Sequence, residues 1–442
     1  MRVQNYRGFT DYEIDFDPRL TVLVGNNGTG KTTILDAMAV ALGTYVMNFE
    51  DYKGVPIARR DVRVRTLRVG GVIDQQEQYP VIISASGQIG GSYIDWVREL
   101  RSAKGSTLVS GATELTSIAK SYRYRVQEGD ESIVLPLVAY YGVGRATADK
   151  LAGKAEKYRV RRTSRTLGYL NCLGARPSSR IMADWMQKMT MAALQGDEDA
   201  KGRLDVTLSA IAQCLSVDRY AVQTENDEGL KWCDNVRVEF NLQQRELVVL
   251  YSRGEEVLSQ LPASKLSDGY RNVLNIVGDI AYRMVQLNPS LRNDVLQQTP
   301  GIVLIDEIDL HLHPSWQQRV LHDLQHVFPK VQFVVTTHAP LVVASARQES
   351  LRMLEPSGAE HAEVETYGKD ASTALRLFLD SDDSQPEIVE LFNEFNDALL
   401  LKDFDLAQNR LDELEHILGD SERIAGARAA LEWERFDAEV DE

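Results

Sequence analysis

The sequence predicts an α/β fold in which helices cover a mostly parallel β-sheet, together with an antiparallel β part, a helical part and a helical C-terminal extension. Apolar, strand-like runs at 20–24, 135–141 and 299–306 alternate with helical patterns, which is typical of a parallel sheet. A glycine-rich turn joins the first run to a helix. No heptad pattern is sustained between this turn and Leu266, so we expect no long coiled coil.

Local patterns predict the remaining elements. Residues 3–16 alternate apolar and polar side chains, which indicates a strand and its hairpin partner lying beside the strand at 20–24. Residues 95–101 are expected to begin a helix. A helical apolar period covers 183–215 with an interruption near Gly196.

The glycine-rich turn carries the pattern of a phosphate-binding loop. Its residues are Gly25, Asn26, Asn27, Gly28, Thr29, Gly30, Lys31 and Thr32, followed by Thr33 in the helix. They match GxxxxGK[ST] at every fixed position. Glycines let backbone N–H groups turn toward one anion, and the helix N-terminus adds partial positive charge. Lys31 can reach the outer phosphates and Thr32 can hold Mg²⁺, so the sequence predicts binding of a nucleoside triphosphate.

Two adjacent carboxylates end the apolar strand 301–305. Asp306 is placed to hold the Mg²⁺ shell, and Glu307 to polarise the attacking water. His338 follows another apolar strand, at the sheet edge where α/β proteins place ligand contacts. We favour a functional role for His338 over a structural one. Together these residues predict hydrolysis of the bound nucleotide.

Three further residues are candidates for nucleotide contacts. Arg7 belongs to the first strand segment, and the sequence leaves open whether it contacts phosphate or is a solvated strand residue. Ser267 is placed to cap a helix, and Gly269 allows close backbone approach, so this helix N-terminus is a second anion site. Because one helix N-terminus already serves the nucleotide, we expect the second to serve the nucleotide of a facing subunit.

The charge is distributed unevenly along the chain. The net charge is −16, but residues 380–442 contain 20 acidic and 5 basic residues, whereas the remainder contains 45 acidic and 44 basic ones. Five arginines concentrate between residues 59 and 68 (Arg59, Arg60, Arg63, Arg65 and Arg68), and a second basic stretch covers 145–165. These stretches are either solvated surface or a contact for the DNA phosphate backbone.

Other function classes are disfavoured. No apolar run approaches the roughly 20 residues that cross a bilayer, and no leader pattern precedes the first strand, so we expect a cytoplasmic protein without membrane contact. Cys172, Cys214 and Cys233 are widely spaced, which indicates buried thiols rather than disulfides or a zinc site. His311 and His313 lack a matching Cys or His cluster, so metal binding there is disfavoured.

The motifs resemble those of ABC-type ATPases, and within them the RecF/SMC-like branch. The matching segments are Walker A at 25–32, the signature LSDGY at 266–270, Walker B at 302–307 and TTHAP with His338 as the switch histidine. The resemblance implies an ATPase head over 1–379, with an inserted helical lobe at about 165–290, and an acidic helical assembly region over 380–442. It implies ATP and Mg²⁺ as cofactors. No clear Q-loop glutamine is present, and Asp61 is a candidate for that position.

A closer resemblance is to the PtuA ATPases of Septu-type anti-phage systems. It rests on PLVAYYGVGR, KLSDGYRNVLNIVGDIAYRM, DEIDLHLHPSWQ and the segment 403–434. It implies an ATP-hydrolysing subunit of a bacterial defence complex that controls or senses for a partner nuclease. This subunit is expected to form homodimers or higher oligomers, to share ATP sites between subunits and to work with a separate HNH-type nuclease.

Four alternatives remain. The first is a RecF-like DNA repair or recombination ATPase. The second, a transporter ATPase subunit, is disfavoured because the signature reads LSDGY rather than LSGGQ. The third, a binding module that uses nucleotide only as a switch, is disfavoured by Glu307. The fourth is a built-in nuclease carrying Asp380 and Asp382, which fit helix capping better because Pro386 follows.

Overall fold

The structure is a computed structural model in which two compact units are separated between Asp370 and Ala371. The residues described are 1–49, 52, 54–69, 72–143, 164–174, 179–216, 220–223, 230–355, 358–362, 364–378, 385–419 and 422–441. We call Met1–Asp370 the head unit and Ala371–Glu442 the C-terminal unit. The sequence predicts this boundary nine residues later, at 379/380. Asp380, Asp382 and most of the basic stretch 145–165 lie outside the described residues.

Strands occur only in the head unit among the described residues. They are β1 (Arg2–Tyr6), β2 (Phe9–Glu13), β3 (Leu20–Val24), β4 (Val64–Val69), β5 (Val72–Glu77), β6 (Val81–Ile89), β7 (Ser92–Leu100), β8 (Leu137–Tyr141), β9 (Tyr220–Gln223), β10 (Leu230–Cys233), β11 (Asn235–Asn241), β12 (Glu246–Arg253), β13 (Glu256–Pro262), β14 (Gly301–Ile305), β15 (Val331–Thr336), β16 (Leu351–Glu355) and β17 (Gly358–His361).

Helices occur in both units. They are α1 (Lys31–Val46), α2 (Thr113–Gln127), α3 (Ser179–Leu194), α4 (Glu198–Leu215), α5 (Asp268–Leu287), α6 (Val295–Gln298), α7 (Pro314–Gln317), α8 (Val320–Val327), α9 (Pro340–Ala344), α10 (Ala371–Phe378), α11 (Pro386–Leu400), α12 (Phe404–Leu418) and α13 (Glu422–Asp441). The interruption predicted near Gly196 is confirmed, because α3 ends and α4 begins around this glycine, which has φ 93°. None of the described helices is long and apolar enough to cross a membrane.

A six-stranded sheet forms the centre of the head unit. Its order is β17-β16-β3-β15-β14-β8, and all neighbours except β16 and β17 are parallel. Every residue of β3 and β8 is buried, as expected for strands covered on both faces. The carboxyl ends of β3, β8, β14 and β15 therefore meet at one edge. The predicted, mostly parallel α/β sheet is confirmed.

Antiparallel sheets surround this centre. One has the order β2-β1-β6-β7, another β11-β12-β13, and β4–β5 and β9–β10 form two hairpins. The hairpin predicted over 3–16 is present as β1 and β2, but its placement beside 20–24 is wrong, because β1 pairs with β6. The helix expected to begin at 95–101 is also wrong. In β7, Ile94, Trp96 and Leu100 are buried in a two-residue alternation against β6.

The helical part of the head unit is built around α5. Most of its residues are buried, and α3 and α4 pack against it. Helix α1 follows β3 directly, so the turn between them lies at the carboxyl edge of the central sheet. This places the candidate nucleotide site where several strands end.

The C-terminal unit is helical, as predicted for the extension. Helices α11, α12 and α13 share one apolar core, made of Ile388, Leu391, Phe395, Ala398, Ala407, Leu411, Leu414, Ile424, Ala427 and Leu431. Other large apolar side chains of this unit are exposed: Leu400 by 83%, Leu401 by 80%, Trp433 by 69% and Phe436 by 63%. The unit therefore folds around its own core and still presents apolar side chains at its surface.

Candidate nucleotide site

The turn between β3 and α1 has the backbone conformation that a phosphate-binding loop requires. Gly25, Gly28 and Gly30 adopt φ values of 152°, 88° and 103°, which L side chains rarely adopt. A Cβ on Gly30 would overlap the ring of Phe9. Asn26 and Asn27 are exposed at the tip, while the Thr29 hydroxyl donates to the carbonyl of Asn26 at 3.0 Å. The loop thus leaves its outer surface open to a ligand.

Lys31 folds back over this loop. Its Nζ donates to the carbonyl oxygens of Gly25 at 2.6 Å and Asn26 at 2.9 Å, and the residue is 6% exposed. Burial lowers the pKa of Lys31 to about 8, although the nearby carboxylates of Asp306 and Glu307 oppose this shift. An anion in the loop would take the place of the two carbonyls as partner of the ammonium group.

Asp306 is the centre of a chain of hydrogen bonds at the carboxyl ends of β14 and β15. The Thr32 hydroxyl donates to its Oδ2 at 2.9 Å, and the Thr336 hydroxyl donates to its Oδ1 at 2.7 Å. Asp306 is 1% exposed. The two residues predicted to hold Mg²⁺, Thr32 and Asp306, are therefore in direct contact although 274 positions separate them.

Glu307 is held in an unusual backbone conformation next to Asp306. Its φ is 47°, and its N–H donates to the Thr336 hydroxyl at 2.7 Å. One hydroxyl group thus fixes both acidic residues. A non-glycine residue in this region of φ costs about 1–3 kcal/mol, so the surrounding structure must hold it there.

His338 lies close to the same cluster. It is half-buried, and its pKa is lowered by burial and by the charge of Lys31, against the opposing effects of Asp309 and Asp306. The lowered pKa favours the neutral imidazole at pH 7. In the preceding position, the Thr337 hydroxyl donates to Asp309 Oδ1 at 2.6 Å, which fixes the turn after β15.

Arg7 lies near α1 but is paired with carboxylates. Its Nη1 is 2.7 Å from Asp36 Oδ2, and its Nη2 is 2.8 Å from Asp61 Oδ1. Arg7 is half-buried, so the interpretation as a solvated strand residue is wrong. Asp36 lies one helical turn after Thr32. A contact between Arg7 and phosphate stays a prediction, and it would require the guanidinium to leave one of these partners.

Ser267 and Gly269 lie at the start of α5. Ser267 is exposed and caps the helix by accepting from the Tyr270 N–H at 3.5 Å. Gly269 is buried against the carbonyl of His311, where a Cβ would overlap the backbone. Among the described residues, no hydrogen bond joins Ser267 or Gly269 to the phosphate-binding loop of the same chain. The structure therefore forms two groups, one around Asp306 and one at the N-terminus of α5.

His311 and His313 take structural roles next to Walker B. The ring of His313 accepts from the Ser315 N–H at 3.3 Å and so caps α7. His311 is exposed, with φ 62°, and its carbonyl contacts Gly269. Cys172, Cys214 and Cys233 are all buried and free, as predicted.

Thr336 is the functional candidate that the sequence analysis missed. It lies in VVTTHAP, a segment noted for His338, and strand alternation alone does not reveal which of its two threonines faces the acids. Asp36 and the two tyrosines that end β8 were missed for another reason, because their hydrogen-bond partners are far away in sequence.

Comparisons with known proteins point to ATPases. The model of the family described as AAA domain matches residues 1–205, and that described as AAA domain, putative AbiEii toxin, Type IV TA system, matches 209–344. The chain is 25% identical to the Retron Vc95 probable ATPase of Vibrio cholerae serotype O1 biovar El Tor, over 81% of this chain and 74% of that protein. It is 26% identical to the Retron Ec83 probable ATPase of Escherichia coli, over 80% and 71%.

A third relative is the Septu protein PtuA of Bacillus mycoides (strain KBAB4). It is 30% identical over 40% of this chain and 24% of that protein. The chain is an ATPase related to PtuA. The predicted resemblance is thus confirmed, and the retron ATPases belong to the same set of relatives. In structure, the chain is also similar to the SMC head domain from Thermotoga maritima, with TM-score 0.39 and 14% identity over 82% of this chain and 98% of that chain.

Proposed function

We propose that this PtuA relative is the ATP-binding and ATP-hydrolysing subunit of a bacterial anti-phage defence complex, that it works as an ABC-type ATPase with sites shared between two subunits, and that it controls or senses for a separate nuclease. The observation that carries the ATPase assignment is the chain of hydrogen bonds from Thr32 through Asp306 and Thr336 to Glu307. It joins Walker A to Walker B.

Each residue of the cluster suits one need of phosphoryl transfer. The Thr32 hydroxyl and the Asp306 carboxylate are adjacent oxygen ligands of the kind that Mg²⁺ prefers, and a bound Mg²⁺ would neutralise phosphate charge. Lys31 would turn from the loop carbonyls to the outer phosphates. Glu307 would orient and polarise the attacking water, and neutral His338 would donate or accept a hydrogen bond at the outer phosphate.

Sharing of the site is supported by the exposed start of α5. The Ser267 side chain is exposed at the N-terminus of α5, and a helix N-terminus attracts anions. Gly269 fixes this end of α5 to the loop that follows Walker B. In a dimer, Ser267 and Gly269 would complete the nucleotide site of the facing subunit.

Defence and a nuclease partner are supported by the relatives and by the C-terminal unit. The retron ATPases match 81% and 80% of this chain, and PtuA matches 40%. The exposed Leu400, Leu401, Trp433 and Phe436 suit a protein partner, either another copy or an HNH-type nuclease. The high acidity of this part of the chain disfavours nucleic acid as its target. We place the protein in the cytoplasm.

A contact with DNA would use the segment 59–68, which leads into the hairpin of β4 and β5. Arg60, Arg65 and Arg68 are exposed there and Arg63 is half-buried, and within the described residues none of the four has a carboxylate at salt-bridge distance. Only Arg59 is paired, with Glu77 at 2.8 Å. A two-stranded ribbon fits the major groove of duplex DNA, and unpaired arginines suit phosphates. This surface also fits the alternative of a RecF-like repair ATPase.

The test of the ATPase assignment separates binding from turnover. Lys31→Ala is expected to lose ATP binding, because it removes the cation that meets the outer phosphates. Glu307→Gln is expected to bind ATP normally and to lose turnover by orders of magnitude. Glu114→Gln, an exposed glutamate at the start of α2, is the matched control and should behave as the unchanged protein. Normal turnover in Glu307→Gln would refute the assignment.

A further inference from the structure

Strand β8 ends in two consecutive tyrosines whose hydroxyl groups reach opposite faces of the central sheet, as successive strand residues do. The Tyr140 hydroxyl donates to Asp36 Oδ1 on α1 at 2.9 Å. The Tyr141 hydroxyl donates to Asp279 Oδ2 on α5 at 2.8 Å. Between them, the carbonyl of Tyr141 accepts from the N–H of Asp306 at 2.8 Å. This dipeptide therefore contacts the Walker A helix, the signature helix and Walker B.

The contact with α5 is a fully buried polar group. Asp279 is 0% and Arg283 2% exposed, and Arg283 Nε donates to the same Asp279 Oδ2 at 2.7 Å. Arg283 Nη1 in turn donates to the carbonyl of Gly168 at 2.7 Å. Within the described part of the chain, Asp279 Oδ1 has no hydrogen-bond partner. Among the described residues, the contacts of this carboxylate are made through Oδ2, with Tyr141 and Arg283.

Stability alone does not explain this arrangement. Removing a buried ion pair from water is costly, and apolar side chains of similar volume hold elements together at least as well. Directional hydrogen bonds have a different consequence, because they fix the position of one element along another. Here they fix α5 relative to β8 at a point about 18 Å from Ser267, given the rise of 1.5 Å per residue.

The contact with α1 reaches the phosphate-binding side. Asp36 also pairs with Arg7 Nη1 at 2.7 Å, and it follows Thr32 by one helical turn. Asp306, held by the carbonyl of Tyr141, accepts from Thr32 on the other side. A displacement of the end of β8 would therefore move both Asp306 and α1.

We propose that Tyr140 and Tyr141 are positioning residues that couple the two nucleotide sites of a dimer. The start of α5 contacts the nucleotide bound by the facing subunit. A shift of α5 moves Asp279, and Asp279 in turn moves Tyr141 and the Asp306 of the same subunit. Occupancy of one site thus sets the geometry of the other. This inference rests on the shared sites of the proposed function.

The test compares two buried tyrosines. Tyr141→Phe removes the hydroxyl that holds Asp279. Tyr169→Phe is the matched control, because its hydroxyl is equally buried but hydrogen-bonds to the carbonyl of Pro136 at 2.8 Å and to the Tyr45 hydroxyl at 3.3 Å rather than to Asp279 or Asp306. For each full-length variant, ATP binding, ATP-dependent dimer formation and turnover as a function of ATP concentration are measured, and thermal melting reports folding. Tyr140→Phe, which cuts the contact with Asp36, is a second variant should Tyr141→Phe fail to fold.

We expect Tyr141→Phe to bind ATP and dimerise within about twofold of the unchanged protein, to lose turnover about tenfold, as for one hydrogen bond to a charged group, and to lower the Hill coefficient toward 1. Tyr140→Phe should also lower turnover, and Tyr169→Phe should keep both values. An unchanged Hill coefficient in Tyr141→Phe, or an equal loss in Tyr169→Phe, would overturn the coupling. Absence of ATP-dependent dimers in the unchanged protein would instead refute the shared site.

Discussion

Thr336 offers the sharpest test of how the acidic pair is held. Its hydroxyl donates to Asp306 Oδ1 at 2.7 Å and accepts from the Glu307 N–H at 2.7 Å, and the residue is 0% exposed. Thr336→Val replaces this hydroxyl with a methyl group and keeps the β-branched shape that suits β15. The substitution therefore removes two hydrogen bonds from the site without removing either acid.

The magnitude follows from these two bonds. A hydrogen bond to a charged group contributes about 1.5–3 kcal/mol, and a buried N–H left without acceptor costs about 1–3 kcal/mol. The two effects are not additive, because Asp306 keeps Thr32 as a donor. If the loss of these bonds raises the activation free energy by about 2 kcal/mol, turnover falls about 30-fold.

The assay combines steady-state turnover with equilibrium ATP binding. Thr336→Val should lower kcat and bind ATP within a few-fold of the unchanged protein, and Thr336→Ser should recover most of the activity. Thr366→Val is the matched control, since Thr366 is also fully buried and its hydroxyl donates to the Ala346 carbonyl at 3.1 Å. A kcat for Thr336→Val within twofold of the unchanged protein would refute the reasoning.

Three further predictions concern charge and assembly. Burial lowers the pKa of Lys31 to about 8, against 10.5 for the unperturbed group, so ATP affinity should fall as the pH rises above 8. For the same reason, the stability of the ligand-free protein should rise between pH 8 and 10.5, where only the unfolded chain keeps this proton. A Kd for ATP that does not change from pH 7 to 9.5 would contradict the first expectation. If Arg60, Arg63, Arg65 and Arg68 all contact phosphates, the affinity for duplex DNA should fall about 150-fold between 50 and 200 mM salt. In the double variant Arg65→Gln/Arg68→Gln, the same change of salt should lower the affinity only about 12-fold. Arg101→Gln is the control, because Arg101 is already paired with Glu99. If the double variant keeps the salt dependence of the unchanged protein, these arginines do not contact DNA. Trp433→Ser/Phe436→Ser should lose self-association or partner capture without a lower melting temperature, whereas native mass and partner binding would show that this surface is not used.

The sequence predicted those parts of the site whose conformation depends on neighbouring residues in the chain. The loop from Gly25 to Thr32 and the strand ending at Asp306 are continuous segments with fixed spacing, so their conformations follow from glycines, β-branched residues and a helix N-terminus. That Thr32 and Asp306 meet follows from the parallel sheet, since β3, β15 and β14 are neighbours and end at one edge.

The remainder depends on contacts between distant segments. Whether Arg7 faces phosphate or carboxylates depends on Asp36 and Asp61, which no local pattern brings close. The pairing of β1 with β6 rather than β3 likewise reflects competition between strands that are equally suited by composition. The sequence did not reveal the buried polar group around Asp279. In the strong apolar pattern of α5, a single aspartate is expected to lie on the exposed face.

The most direct test of the central claim is complementation between two inactive subunits. Ser267→Arg should block the contribution of α5 to the facing site, and Lys31→Ala should abolish nucleotide binding in its own loop. In an equimolar mixture, half of the dimers are mixed and each holds one intact site, so ATP turnover should rise above that of either variant alone, to at most about one quarter of the unchanged protein, and coupling between the sites would lower it further. No recovery, in a mixture shown to contain mixed dimers, would contradict the shared site and confine hydrolysis to single subunits.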